Sequence, residues 1–216
     1  MQQYLQPTPT INFDDPAVAA FAEEAAGKTG GQRETAVRLF YAVRDGIRYD
    51  PYTVRFSVKG LRASETLRRR RAWCVPKAAL LAACCRHRGI PARLGYADVR
   101  NHLSTARMRE TMKTDVFVWH GYTSIYLGGR WIKATPAFNV ELCERFRLLP
   151  VEFDGREDSL YHPVDRDGNR HMEYLKDRGE FADVPIDAIR ATFLRRYPAI
   201  RSLEGADFDE DVEKEL

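Results

Sequence analysis

The stretch Trp73-Cys74-Val75-Pro76-Lys77-Ala78-Ala79-Leu80-Leu81 sets one cysteine at the head of an apolar run, directly after the arginine block Arg68 to Arg71. Proline is tolerated in the first turn of a helix and disruptive inside one, so Pro76 puts a helix start just before it. The run continues through Cys84 and Cys85 to Gly89, a residue suited to ending a helix. The start of a helix carries unpaired N–H groups and partial positive charge. A thiol held there loses its proton more readily and becomes a better nucleophile. Cys84 and Cys85, in mid-helix, read as core residues instead.

The chain has 216 residues with 34 basic and 31 acidic side chains, a net charge of +3. That balance argues against nucleic acid as the main partner, which demands a clear basic excess. No apolar run reaches membrane-spanning length, and the polar opening residues lack the order of a secretion signal. Four cysteines, two of them adjacent, do not make a disulfide framework, so the reading is a reducing, cytoplasmic setting. No spacing of His, Cys, Asp or Glu suggests a metal site, and none suggests a cofactor. The Gly27 to Gly31 segment lacks the spacing of a phosphate-binding loop.

Upstream, Asp14 or Asp15 can cap a helix from Pro16 to about Ala25, and Gln32 to Asp45 has helical periodicity. Residues 47–52 read as a short extended exit, and Ser64 as the cap of a third helix that ends in Arg68 to Arg71. Those arginines read as a solvated helix end, or as a source of positive potential near Cys74. Downstream, Gly89 to Val99 reads as a turn and a strand. Residues 101–114 read as an irregular, mobile flap over a site.

Asp115 to Leu127 alternates, Gly128-Gly129 makes a two-residue turn, and Arg130 to Thr135 returns. The register pairs Tyr126 with Trp131 and Tyr122 with Thr135. His120, Tyr122, Tyr126, Trp131, Lys133 and Thr135 then share one face. Trp119, Thr123, Ile125, Ile132 and Ala134 share the other, apolar face. A histidine on a polar, aromatic sheet face is a general-base candidate. Residues 150–183, with His162 and His171, read as an irregular wrap. Ile186 to Tyr197 reads as an amphipathic helix, and the acidic residues 204–216 as a frayed tail.

Trp73-Cys74 opening a helix, Gly89-Ile90-Pro91-Ala92-Arg93 after it, His120 on a strand, and Gly128 to Trp131 leading into Thr135-Pro136 together resemble the transglutaminase-like superfamily. The resemblance spans about residues 36–139. It implies an α+β, papain-like fold with the nucleophile helix packed on an antiparallel sheet. The expected layout is a single domain over 1–203, with its core at about 31–146 and the wrap and helix at 150–200.

It also implies Cys74 as nucleophile and His120 as general base. The family's third catalytic residue is an aspartate at the position of Thr135, so this chain departs from the pattern there. Asn139 is the alternative partner for His120, by analogy with the asparagine of papain-like enzymes. The Cys74 N–H is the natural first oxyanion donor. The resemblance places a second donor upstream, with Tyr49, Tyr52 and Arg55 as candidates. The expected activity is hydrolysis of an amide bond in a peptide or other amide-bearing substrate, through a thiolate–imidazolium pair and a thioester. A calcium-site signature of crosslinking members is absent, which favours hydrolysis. The alternative is a weakened or inactive binding module on the same fold. Oligomeric state is not encoded in any motif.

Overall fold

The computed structural model describes residues 1–102, 104–161 and 164–215. His162 lies outside them. A short 3-10 turn leads to α1 (Pro16–Ala26), whose cap is Asp15 accepting from the Ala17 N–H. Then follow α2 (Gln32–Gly46), β1 (Arg48–Tyr49), α3 (Val58–Leu61), α4 (Ala63–Arg69), β2 (Arg71–Ala72) and α5 (Cys74–His87). Next come β3 (Ala92–Asn101), α6 (Ala106–Met112), β4 (Val116–Leu127), β5 (Arg130–Ala134) and α7 (Val140–Arg145). The chain closes with β6 (Met172–Phe181), α8 (Ile186–Arg196), a 3-10 turn at Ile200–Leu203, and α9 (Phe208–Glu213).

The architecture is α+β. An antiparallel sheet in the order β5-β4-β3-β6 lies against α5, and α1, α2 and α4 pack on the helix's other sides. Every residue of α5 except His87 is buried. A helix apolar all round has to be enclosed in this way. Its one lysine is fully buried as well. Lys77 Nζ donates to the carbonyl oxygens of Arg44 (2.8 Å) and Ile47, at the end of α2. An amine there satisfies carbonyls that the helix leaves unpaired, and burial disfavours its charged form. It also fixes where α2 hands over to β1, the strand that carries Tyr49. Arg86, at the far end of α5, donates to the carbonyls of Gln6, Ala92 and Ala182 and fastens the helix to three segments.

The β4–β5 hairpin has the expected register, Leu127 opposite Arg130 and Tyr126 opposite Trp131. Gly128 and Gly129 both have positive φ, at 60° and 87°, as a tight hairpin turn requires. One irregularity was not foreseen. Trp119 has φ of 59°, and the β3–β4 register shifts between Ala97 and Val99. Such a bulge re-aims the strand, here beside His120.

Four local expectations are corrected. Residues 106–112 form a helix, capped by the Thr105 hydroxyl accepting from the Met108 N–H. Ser64 does not cap α4; its hydroxyl accepts from Asn12 Nδ2, while Ser57 caps the separate α3. The wrap contains a long strand, β6, paired with β3 along its length. The acidic tail is not frayed over 204–215. Phe208 and Val212 are buried, and the buried Asp211 accepts from the Tyr52 hydroxyl and pairs with Arg107.

The helix start packs directly against the sheet at Gly121. A Cβ added there would lie 3.1 Å from Val75 Cα, a contact with backbone that cannot swing aside. Gly121→Ala is expected to cost about 1–3 kcal/mol of stability in urea denaturation, the range typical of overpacking.

Candidate active site

Cys74 is the first residue of α5, with Trp73 at the cap position and Pro76 in the first turn. The backbone around it has spare donors. Helix bonding begins with Lys77 N–H to Trp73 O, so the N–H groups of Cys74 and Val75 stay outside the helix ladder. β5 pairs with β4 only from Thr123 to Leu127. Beyond that point the edge of β4 is open, and the thiol approaches it. The Gly121 N–H donates to Cys74 Sγ across 3.5 Å.

Cys74 and His120 line one small cavity with Tyr49, Met108, Phe193 and Ile200 among its walls. Its volume is about 40 Å³, room for water. Residues of α6, α8 and the turn after it cover the cavity, and we call these the lid. Tyr197 fastens α8 to the strand of His120, donating to Val116 O (2.6 Å) and accepting from the Val118 N–H (2.8 Å).

Enclosure sets the protonation states. Burial pushes the Cys74 thiol up to about 11, and the N–H groups of Gly121, Val75 and Cys74 offset this only in part. Burial, with His171 adding repulsion, pushes His120 down to about 3. Both shifts disfavour charge. The thiolate–imidazolium pair expected from the helix start is therefore not the resting state of the closed site, which holds a thiol and a neutral imidazole.

Among the described residues, the buried His120 Nε2 has no hydrogen-bond partner. Neither proposed orienting residue bonds to it. Asn139 Oδ1 accepts instead from the Tyr49 N–H (3.0 Å), so it steadies the strand that carries Tyr49. The buried Thr135 hydroxyl makes no hydrogen bond of good geometry. Its neighbour is Tyr174, whose phenol desolvation pushes up to about 12 and Thr135 helps to ease back.

The ring packed on His120 is Tyr161, with centroids 5.0 Å apart, and Tyr161 in turn touches Phe138 (4.6 Å) and His171 (5.8 Å). Its hydroxyl is buried without a partner. Sequence reasoning missed both Tyr161 and His171 as neighbours of His120. They arrive from a segment without periodicity, held by long-range pairing of Ser159 with Lys133 and Thr135 and of β6 with β3.

Of the three oxyanion candidates, only Tyr49 lines the cavity of the thiol. Desolvation raises its phenol, and a charge on Cys74 adds to the shift. The Tyr52 hydroxyl is engaged with Thr105 (2.6 Å) and Asp211 (2.9 Å). Arg55 lines a neighbouring groove. Three of the four arginines of the block have carboxylate partners, Arg68 and Arg69 sharing Glu65 and Arg71 pairing with Asp50 and Asp209, while Arg70 lies over the Phe21 ring. Among the described residues, no three His, Cys, Asp or Glu side chains converge as metal ligands would, and no helix is long and apolar enough to cross a membrane.

Two pH dependences follow. Only the thiolate is alkylated, so iodoacetamide labelling of Cys74 in the resting protein should rise about tenfold per pH unit from neutrality upward. An ion pair would instead give a plateau from mildly acidic pH. His120 binds its proton more weakly folded than unfolded. Its contribution to stability is complete above its ordinary value of about 6.5 and is lost as pH falls toward about 3. Thermal melts of His120→Gln should decline less across that interval than those of the parent chain.

No curated protein matches the chain in sequence. Two solved structures resemble it at low identity. One is a "putative cysteine protease" from Cytophaga hutchinsonii, 19% identical, with the match covering 82% of this chain and 52% of that one at a TM-score of 0.48. The other is a "putative protease" from Parabacteroides distasonis, 14% identical, covering 57% of this chain and 25% of that one at a TM-score of 0.39. The chain thus spans about half the length of the first and a quarter of the second. The profile of the transglutaminase-like superfamily matches residues 19–136, a span that runs from α1 through the thiol, the histidine strand and the end of the hairpin. With more than half of its length matched, the chain belongs to the transglutaminase-like superfamily.

Proposed function

We propose that this protein is a thiol-dependent acyl-transfer enzyme that hydrolyses an amide bond through Cys74, His120 and a thioester intermediate. The observation that carries the reading is the shared cavity of Cys74 and His120, with the thiol at a helix start and a strand N–H aimed at its sulfur. When the lid moves and a substrate carbonyl enters, His120 takes the thiol proton as the sulfur attacks the carbonyl carbon. The oxyanion is received by the Cys74 N–H, with Tyr49 as the second donor. His120 then returns the proton to the leaving amine, and water cleaves the thioester to free the acid and restore the thiol. Tyr161, packed on the ring, limits the orientations of His120 where the family's aspartate is replaced by Thr135.

A second reading, a catalytically inactive binding module, is favoured by one observation: His120 Nε2 and the Thr135 hydroxyl are both buried and unpartnered. Intact-mass spectrometry after acid quench separates the two. Mixing with a panel of peptide amides and p-nitroanilides should load an acyl group on Cys74, and Cys74→Ala should abolish it. His120→Ala should slow acylation by about 10²–10⁴-fold, the usual worth of a general base. Absence of acylation across the panel, with Cys74 and Cys143 alkylated at equal rates, would favour the binding module.

A further inference from the structure

Beside the closed cavity runs an open groove of about 370 Å³, between residues 51–57 and the α8 segment with its following turn. The groove and the cavity share Pro51, Val54 and Ile200 as a common wall. Those three side chains are all that the two spaces have in common, and they stand between the groove and the cavity of the thiol. Its rim carries Arg55, Arg190 and Arg201, all exposed. Glu204 is the one carboxylate among its lining residues.

These arginines stand out by what they lack. Most arginines of this chain are engaged: Arg48 and Arg71 with Asp209, Arg107 with Asp211, Arg147 with Asp167, and Arg178 with Asp98. Others hold backbone carbonyls, as Arg38 and Arg166 do. Among the described residues, the side chains of Arg55, Arg190 and Arg201 have no carboxylate, carbonyl or ring partner, and Glu204 pairs with none of them. A second groove, on the other side of the lid, is lined by Lys113, Arg195 and Arg196 and touches the cavity at Met112. Among the described residues, five arginines without such a partner thus line the two grooves beside the cavity of the thiol, and Arg88 and Arg156 are others elsewhere. Guanidinium groups bind carboxylates by two parallel hydrogen bonds, and a cleft of one sign draws in ligands of the other.

We propose that the substrate of the Cys74 site is an acidic peptide. It lies in this groove with its Asp or Glu side chains on Arg55, Arg190 and Arg201, and its scissile amide is led past Pro51, Val54 and Ile200 to the thiol. The proposal rests on the reading of Cys74 as the nucleophile.

The test separates binding from chemistry by using the full chain carrying Cys74→Ala. Fluorescence anisotropy is measured with a fluorescein-labelled glutamate-rich octapeptide and with its glutamine counterpart. The acidic peptide should bind at least about tenfold tighter, with the advantage shrinking as salt rises. Adding Arg190→Gln and Arg201→Gln should erase most of that advantage, while the remote Arg156→Gln leaves it unchanged. Equal binding of the two peptides overturns the proposal. So does a preference that survives the double substitution, or one lost equally in Arg156→Gln. A negative result here leaves acylation of Cys74 by neutral amides standing, and failure of acylation leaves the binding preference standing.

Discussion

The close approach of α5 to the edge of β4 governs the rest of the molecule. Gly121 has no side chain, so Val75 can settle against its backbone, and the sulfur of Cys74 comes within reach of the Gly121 N–H. A bulkier residue would hold the helix start away from the strand. The neighbouring parts follow from this contact. β5 stops at Ala134 and leaves the edge of β4 open, and the bulge at Trp119 turns the strand beside His120. Lys77, three residues along the same helix, grips the end of α2 and brings β1 and Tyr49 to the thiol.

Enclosure works against reactivity in this arrangement. The helix start and three N–H groups favour a thiolate, but burial outweighs them and leaves the thiol protonated. The same burial keeps His120 neutral. A local dipole is worth about a kcal/mol near a surface, whereas removing a charge from water costs several. The lid is thus more than a barrier to entry. By excluding water it holds Cys74 and His120 in their uncharged forms.

The parts of this fold that were legible in the sequence are those decided by neighbours in the chain. Pro76 and Gly89 marked the limits of the thiol helix, and Gly128-Gly129 with the alternation on either side gave the hairpin and its register. What stayed hidden was set by distant pairing. β6 is polar and carries no strong alternation, and it becomes a strand because β3 offers it a free edge. Tyr161 and His171 reach His120 through that same wrap. The acidic tail looked soluble because its two apolar anchors, Phe208 and Val212, are few. Asp211 and Asp209 order it through Tyr52, Arg107, Arg48 and Arg71, partners that no local pattern reveals. Asn139 was read as the alternative partner of His120 by analogy alone, and its carbonyl oxygen serves a backbone N–H instead of the imidazole.

β6 has a further consequence for how the molecule behaves at high concentration. It is a ten-residue border strand, and border strands invite other chains to add on. This one presents Glu173, Lys176, Asp177, Arg178 and Glu180, and it is bent by a glycine with φ of 88° at Gly179. An incoming strand would have to match alternating charges on a twisted ribbon. The far border, β5, is only five residues long and is partly occupied by Ser159. The charges on β6 and the shortness of β5 thus both work against edge-to-edge addition, while Tyr174 and Leu175 on β6 stay exposed.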